Sequence, residues 1–344
     1  MPTLRQLEYL VALADAGHFG VAARRCAVSQ PALSKQVREV EELWGVPLFE
    51  RSSRGVRATP AGEAVVARAR ALLVAARDLA ETAVGFAGRA AQRVRLGVIP
   101  TVAPYGLAGL LTKLRARFPG TTFVLSELPT AALLTSLREG RLDLALLARP
   151  FETQGIEGPD LVREPFVLVA PEGHALDAPG AVEVSELIGA ELILMQEGHC
   201  LRDQALEICA RAIAPASAEI TAASLATLTR MVESALGATL LPASALSAEV
   251  RAGQGLVARA FGGRAPGRTL TLQWRCSAPH GAWYEEIGLV IQAHYLQLNA
   301  TLPKVEGGLP VMEAVVREGA SAGGTRVGLG GDGSVTGTSL REEP

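Results

Sequence analysis

Val65, Ala69, Leu72, Ala76, Leu79, Ala83 and Phe86 repeat in strict 4-3 alternation, and that repeat sets the first limit on this chain. Apolar residues at that spacing form one seam along a helix that supercoils with a partner. Residues 59–89 therefore read as a single long helix, opened by "TPAGE". At about 1.5 Å per residue, its roughly 30 residues span roughly 45 Å. A stripe this narrow, with small residues at every other layer, calls for a second copy of the helix. The chain is thus expected to be at least a dimer. The alternative is an amphipathic helix lying on its own domain. Either way, the helix divides a 344-residue chain into a short N-terminal unit and a long C-terminal one, more than one domain of ordinary size.

The N-terminal unit, residues 1–58, reads as helical. Leu4, Leu7, Leu10 and Val11 share a helix face, and Thr3 with Gln6 fits a capping box. A second short helix is expected from Val21 to Ala27. A third follows in "SQPALSKQVREVEELWG", with Ser29 as N-cap, Pro31 in the first turn and Gly45 as the stop. Ala32, Leu33, Val37, Val40 and Leu43 form its expected buried stripe. Two short helices joined by a tight turn make a helix-turn-helix. Ser29, Gln30 and Pro31 stand at the start of its second helix, and Ser34, Lys35 and Arg38 lie on the free side. The next stretch, "ERSSRGVRAT", reads as a hairpin-like wing with Arg51, Arg54 and Arg57 three apart. The chain carries a formal charge of −2, yet its first 60 residues are slightly basic. Small polar side chains can enter a major groove, and arginines on a wing can reach phosphates or the minor groove. Double-stranded DNA is the expected partner. A solvated helical pair with a charged loop is the bland alternative.

From Val94 the period changes. "RVRLGVIPT", "TTFVLSELP", "LDLALLA" and "EPFVLVAPEG" are short, β-branched apolar runs alternating with helical stretches. That is an α/β pattern with largely parallel sheets, long enough for two subdomains and a cleft. Thr101 and Thr130 fall at strand ends, where open α/β sheets bind ligands. Beyond residue 300 the composition turns glycine-rich, so 301–344 reads as a flexible tail, with a short helix at "VMEAVVRE". No run of about 18 apolar residues avoids charge. The start of the chain carries Glu8 and Asp15 and lacks the order of an export signal. The expected location is cytoplasmic, with no membrane partner.

The chain has four cysteines, and two of them sit in "GHCLRDQALEIC". Zinc needs four ligands, usually in close pairs; Cys200, Cys209 and His199 make three, so neither metal nor cofactor is expected. If the segment is helical, Cys200 and Cys209 stand about 13–14 Å apart. A disulfide tolerates less than about 7 Å. A bridge and an intact helix therefore exclude each other. Two inert buried thiols would satisfy the pattern. So would a switch, in which a thiolate at Cys200, favoured by the helix start, His199 and nearby arginines, is oxidised and then captured by Cys209. Cys26 and Cys276 are expected to be buried structure.

The residues "FGVAARRCAVSQPALSKQVREVEELWGVPLFERSSRGVRATPAG" resemble the N-terminal domain of LysR-type transcriptional regulators. "IPTVAPY", "GHCLRDQAL…C" and "TLLPA", in that order, are similar to the hydrogen-peroxide-sensing branch of that family. The likeness runs from about residue 3 to about 298. It implies an N-terminal all-α winged helix-turn-helix (1–58) plus a long linker helix (59–89). After these it implies a C-terminal α/β two-lobed regulatory domain (90–300) resembling periplasmic binding proteins. Lobe I would hold about 90–164 and 269–300, and lobe II about 165–268. It further implies a homodimer or homotetramer on a partly palindromic operator. The function implied is a regulator of antioxidant genes, not an enzyme. Cys200 would be the peroxidatic residue and Cys209 the resolving one. Thr101, Thr130, His199, Asp203 and Arg268 would form the peroxide pocket. Hydrogen peroxide would be the signal, RNA polymerase a partner, and a thiol reductant system the reset. Arg230 falls one position later than the family's arginine and is assigned no role. A LysR-type regulator answering to a small organic ligand in the cleft remains open, as does a thiol peroxidase. A periplasmic solute-binding protein would need an export signal.

Overall fold

A computed structural model describes residues 1–52, 55–86, 92–212, 216–251 and 253–315. The N-terminal unit holds α1 (Leu4–Ala16), α2 (Phe19–Arg25), α3 (Gln30–Trp44) and a hairpin of β1 (Phe49–Ser52) with β2 (Gly55–Ala58). Thr3 and Gln6 cap α1 reciprocally: the Gln6 amide donates to Thr3 Oγ1 at 3.2 Å and the Thr3 amide to Gln6 Oε1 at 2.9 Å. Ser29 caps α3 by accepting from the Ala32 amide. Leu7, Leu10 and Leu13 pack on Leu33, Val37 and Val40, with Leu48 and Phe49 closing the core. Two residues of the expected α3 stripe are not part of it. Ala32 and Leu43 are exposed, because they lie at the two ends of the helix, outside the stretch that faces α1.

The long helix is α4 (Pro60–Phe86). Its two faces differ. Val66 and Ala69 join the N-terminal core, and the buried Asp78 accepts from Arg275 at 2.9 Å. Arg77 donates to the Gly140 carbonyl at 2.8 Å. On the seam, Leu72 and Leu79 are 56% and 73% exposed. Among the described residues, nothing buries these two leucines.

The C-terminal part begins with β3 (Gln92–Val98), α5 (Ala103–Arg117), β4 (Thr121–Glu127), α6 (Thr130–Arg138), β5 (Leu144–Ala148) and β6 (Ile156–Glu157). Then comes β7 (Asp160–Pro171), followed by β8 (Leu192–Met195), α7 (Cys200–Ala212), β9 (Ala216–Ala222), α8 (Leu225–Glu233) and β10 (Thr239–Pro242). It closes with α9 (Leu246–Glu249), β11 (Leu256–Ala260), β12 (Gly267–Arg275), α10 (Gly281–Leu298) and β13 (Glu313–Ala314). Strands run β10-β7-β12-β5-β3-β4. The sheet is less parallel than the alternating pattern suggests. β3 pairs in parallel with β4 and β5, and β8 with β9. All pairings of β7 and β12 are antiparallel. A parallel return needs a crossover on a face of the sheet, and these two strands instead run past each other between the two halves.

Two cores result. One gathers Leu96, Leu110, Leu133, Leu146, Leu161, Leu270, Ile291 and Tyr295; the other gathers Phe166, Val169, Leu192, Leu201, Leu228, Leu241 and Phe261. The twelve residues of β7 serve both, with Leu161 and Val162 in the first and Phe166 to Ala170 in the second.

The expectation of a flexible tail from 301 fails for its first part. Leu302 and Met312 are buried in the first core. Asn299 holds Met312 through both backbone atoms at 2.8 Å. Glu306 pairs with β11, where the Ala260 amide donates to its carbonyl at 2.8 Å. Gly307, at φ +83°, passes so close to Ala181 that a Cβ would lie 2.4 Å from the Ala181 Cα. The expected helix at "VMEAVVRE" is instead extended through Glu313 and Ala314, which add to β7. A few apolar anchors and one asparagine outweigh the glycines around them. Residues 316–344 lie outside the described residues.

Candidate functional site

The chain leaves β8 at Met195, turns through Gly198 at φ +89° and starts α7 at Cys200. Glycine takes that φ without steric cost. Arg202 fixes the corner by donating from Nη1 to the Met195 carbonyl at 3.1 Å. Cys200 is 8% exposed. Its helix packs in the second core through Leu201, Ala205 and Ile208, but its own side chain packs in the first.

Arg268 of β12 lies within electrostatic reach of the thiol. It is fully buried and uses every donor nitrogen: Nε to Glu164 at 2.8 Å, Nη1 to Thr101 Oγ1 at 2.7 Å, and Nη2 to the Thr101 carbonyl at 3.1 Å. The other Glu164 oxygen accepts from the Ser244 amide at 2.9 Å. A buried ion pair tolerates its desolvation only when the remaining lone pairs are satisfied in this way. Thr130, at the start of α6, turns its hydroxyl toward the thiol and favours the ionised form, although it makes no hydrogen bond of strict geometry.

Burial dominates and pushes the Cys200 thiol up. Arg268, Thr130 and the Leu201 amide pull the other way, and the negative charge of Asp203 adds to the rise. The cationic surroundings expected at the helix start are therefore outweighed. His199 is half-buried, and burial lowers its pKa, so it is neutral near pH 7. Asp203 is exposed and supplies only that opposing charge. Of the five expected pocket residues, Thr130 and Arg268 act on the sulfur, and Thr101 is joined to them through its bonds to Arg268. Glu164 and Ser244 complete the cluster. Glu164 could have been suspected from the sequence, as an acid inside the apolar run "VREPFVLV".

Cys209 lies on the same unbroken helix, 3% exposed in the second core, and burial pushes its thiol up as well. The nine-residue helical rise sets the two residues about 13–14 Å apart. Both are free thiols, packed into different cores. Cys26 is also buried, in the N-terminal core. Cys276 is exposed, against expectation. The strand ends at Arg275, so the alternation that would have turned Cys276 inward has already stopped.

On the N-terminal unit, Ser29, Gln30, Pro31, Lys35 and Arg38 are exposed along α3, and Ser34 is half-buried. Arg57 is exposed on β2. Arg51 is exposed but places its guanidinium over the Phe19 ring, 4.6 Å from the centroid. Arg54 lies outside the described residues. Among the described residues, no helix is long and apolar enough to cross a membrane.

Comparison with known proteins places this architecture. Residues 4–63 match the bacterial regulatory helix-turn-helix proteins of the lysR family, and residues 87–285 match the LysR substrate binding domain. The chain is 42% identical over 292 residues to a probable hydrogen peroxide-inducible genes activator of Streptomyces viridosporus, covering 85% of this chain and 94% of the relative. It is 39% identical to the DNA-binding transcriptional dual regulator OxyR of Escherichia coli K12 (84% and 95% covered). It is also 39% identical to the regulator EstR of Acinetobacter baylyi (81% and 92%). Among solved structures, a full-length OxyR variant of Pseudomonas aeruginosa superposes with a TM-score of 0.70 at 35% identity, over 84% of this chain and 94% of that one. A peroxide-bound cysteine-to-serine variant of Corynebacterium glutamicum OxyR superposes at 0.61 and 32%, over 89% and 98%. The helix-turn-helix unit, the long α4 and the two-core regulatory part together make this chain a member of the LysR family of bacterial transcriptional regulators.

Proposed function

We propose that the chain is a peroxide-responsive transcriptional regulator whose switch is the Cys200–Cys209 pair. The observation that carries this reading is the placement of two free thiols on one helix, each sealed in a different core, with Arg268 beside only the first. The Cys200 thiolate attacks a peroxide oxygen. The O–O bond breaks, the departing hydroxide takes up a proton as water, and Cys200 becomes a sulfenic acid. The Cys209 thiolate then attacks that sulfur, the S–S bond forms, and the second oxygen leaves as water. Because the bridge cannot span an intact helix, its formation unwinds α7 and withdraws Cys200 from the first core. A dithiol reductant supplies the two electrons that reset it. Names of close relatives support the signal, and the peroxide-bound neighbour supports the ligand class. EstR is nearly as similar, so the thiol geometry carries more weight than identity.

α3 and the wing would contact DNA, with Ser29, Gln30, Pro31, Ser34, Lys35 and Arg38 on the helix and Arg51, Arg54 and Arg57 on the wing. The uncovered Leu72 and Leu79 support self-association through α4, which suits a partly palindromic operator. Contact with RNA polymerase at antioxidant genes follows from the same reading.

Mass spectrometry of peroxide-treated protein tests the switch. Wild type forms an internal bridge, Cys200→Ser forms none, and Cys209→Ser stops at an oxidised Cys200. A Cys200→Ser protein that still answers peroxide sinks the proposal. For DNA, Arg57→Ala should reduce the salt slope of binding by about one; an unchanged slope removes that arginine from the interface.

A second reading has one observation in its favour. A cavity of about 540 Å³ between the cores is lined by Arg149, Arg163, Arg264 and Gln204, a setting suited to a small organic anion. If such an anion changes DNA binding in Cys200→Ser, the cleft acts as a sensor.

A further inference from the structure

One short helix, α6, joins the sulfur to α4. Its first residue, Thr130, faces Cys200. Leu133, Leu134 and Leu137 lie in the first core, the same core that takes the Cys200 side chain. The packing along the helix is tight: a Cβ on Gly97 of β3 would lie 2.3 Å from Leu133 Cδ2. The nine residues of α6 carry the chain about 13 Å away from the sulfur.

At its far end α6 meets α4. Glu139 caps it, with one carboxylate oxygen 3.6 Å from Nε of Arg70 on α4 and the other 2.6 Å from Nη2 of Arg141. Gly140 turns the chain at φ +67°, so close to α4 that a Cβ would meet Val74 Cγ2 at 2.6 Å. Its carbonyl accepts from Arg77 of α4 at 2.8 Å. Arg70 also has a partner in the N-terminal unit: its two terminal nitrogens donate to the two carboxylate oxygens of Asp15 on α1. Just past Asp15, the Gly17 carbonyl accepts from the Val56 amide of the wing at 2.8 Å. A cavity of about 490 Å³ at this joint is lined by Val56, Arg57, Arg70 and Glu139, so the wing and the end of α6 face one space. The side chains of Asp15, Arg70 and Glu139 are all less than a third exposed, and sheltered pairs are screened by salt less than surface ones.

We propose that α6 is a rod carrying the state of Cys200 to the DNA-reading unit, and that Arg70 is its joint. The inference rests on the Cys200 switch proposed above. While Cys200 occupies the first core, α6 is fixed at Thr130 and holds Glu139 against Arg70. Through Asp15, that contact sets α1 and the wing relative to the sensor. When the bridge withdraws Cys200, the first core loses the volume of that side chain at the start of α6. A packed core relaxes into such a void, and small shifts there are passed on because packed elements move as units. The displacement reaches Glu139, its contact with Arg70 opens, and Arg70 stays with Asp15. The wing then leaves the orientation that the reduced sensor imposes.

The test uses full-length protein and a DNA duplex selected from a random pool by the reduced wild type. Kd is measured for reduced and for peroxide-treated protein, and the ratio of the two reports the coupling. Glu139→Gln removes the charge that Arg70 meets and leaves the Arg70–Asp15 pair in place. Arg70→Lys keeps the net charge but gives up the two-pronged geometry, and it serves if the first variant folds poorly. In wild type the two forms should differ in Kd by about fivefold or more. In either variant that ratio should shrink by about threefold or more, with the reduced variant binding as the bridged wild type does. The bridge should form at the wild-type rate within about twofold, because neither residue touches a cysteine. A general gain in affinity from losing a negative charge moves both forms together and leaves the ratio unchanged. If peroxide forms no bridge in wild type, the switch reading fails, and the joint is judged on reduced protein, where Arg70→Lys should still change Kd. Equal Kd for reduced wild type and both reduced variants, a ratio near one in bridged wild type, or an undiminished ratio in both variants would overturn the proposal.

Discussion

The first and third turns of α7 carry the same residue type in opposite settings. At Cys200 the helix meets a buried charge: Arg268 acts on the sulfur and is itself held by Glu164 and Thr101, with Ser244 satisfying the other Glu164 oxygen. At Cys209 the neighbours are Leu201, Ala205, Ile208 and the rest of an apolar core. Burial raises both thiols, so burial alone cannot distinguish them. The difference is one fixed positive charge, present at one end and missing at the other. Under the proposed switch, that charge would decide which cysteine meets an oxidant first and which waits until the helix opens.

The harshest way to break this comparison is Arg268→Ala. It strands Glu164 without a counter-charge, which should cost about 3–5 kcal/mol of stability. It also removes the largest influence favouring the Cys200 thiolate, so peroxide consumption should fall in whatever protein remains folded. Urea unfolding with a thiol assay checks both, and a loss below ~1 kcal/mol would show that the charge is not held as described. A milder probe is pH. Because the folded protein raises the Cys200 thiol, less thiolate exists at neutral pH than in a free cysteine. The rate of peroxide reaction should climb about tenfold per pH unit and continue past the ordinary thiol range. A plateau near pH 7 would mean that Arg268 outweighs burial. The smallest effect belongs to Gly198→Ala. No side chain crowds the position, so the cost is backbone strain alone, about 1–2 kcal/mol. It falls only on the Cys200 end of α7. If thiol labelling showed Cys209 becoming as much more reactive as Cys200, the two ends would not open separately.

Much of this arrangement was readable in the sequence because it is local. Caps at Thr3 and Ser29, the stop at Gly45 and the helix from Cys200 to Cys209 follow from residues within a few positions of one another. Thr101, Thr130 and Arg268 came from family resemblance; Thr130 and Arg268 act on the sulfur, and Thr101 holds Arg268. What stayed hidden depends on distant pairing. Glu164 and Arg268 are 104 positions apart, and no periodicity links them. Sheet direction was misjudged because apolar runs do not record which way a strand points. Cys276 looked buried because alternation does not reveal where a strand stops. The region after residue 300 looked loose because its glycines outnumber its anchors, although Leu302 and Met312 tie its first part into a core.

That last anchor has a consequence during synthesis. The core containing Met312 also contains Val94 and Leu96, so it is built from both extremes of the regulatory half. The N-terminal unit can close as soon as the early part of α4 has left the ribosome, since none of its core residues lies beyond Ala69. The core around Cys200 must wait for nearly the whole polypeptide to emerge. Until then the nascent chain carries a finished DNA-reading head with no completed sensor behind it.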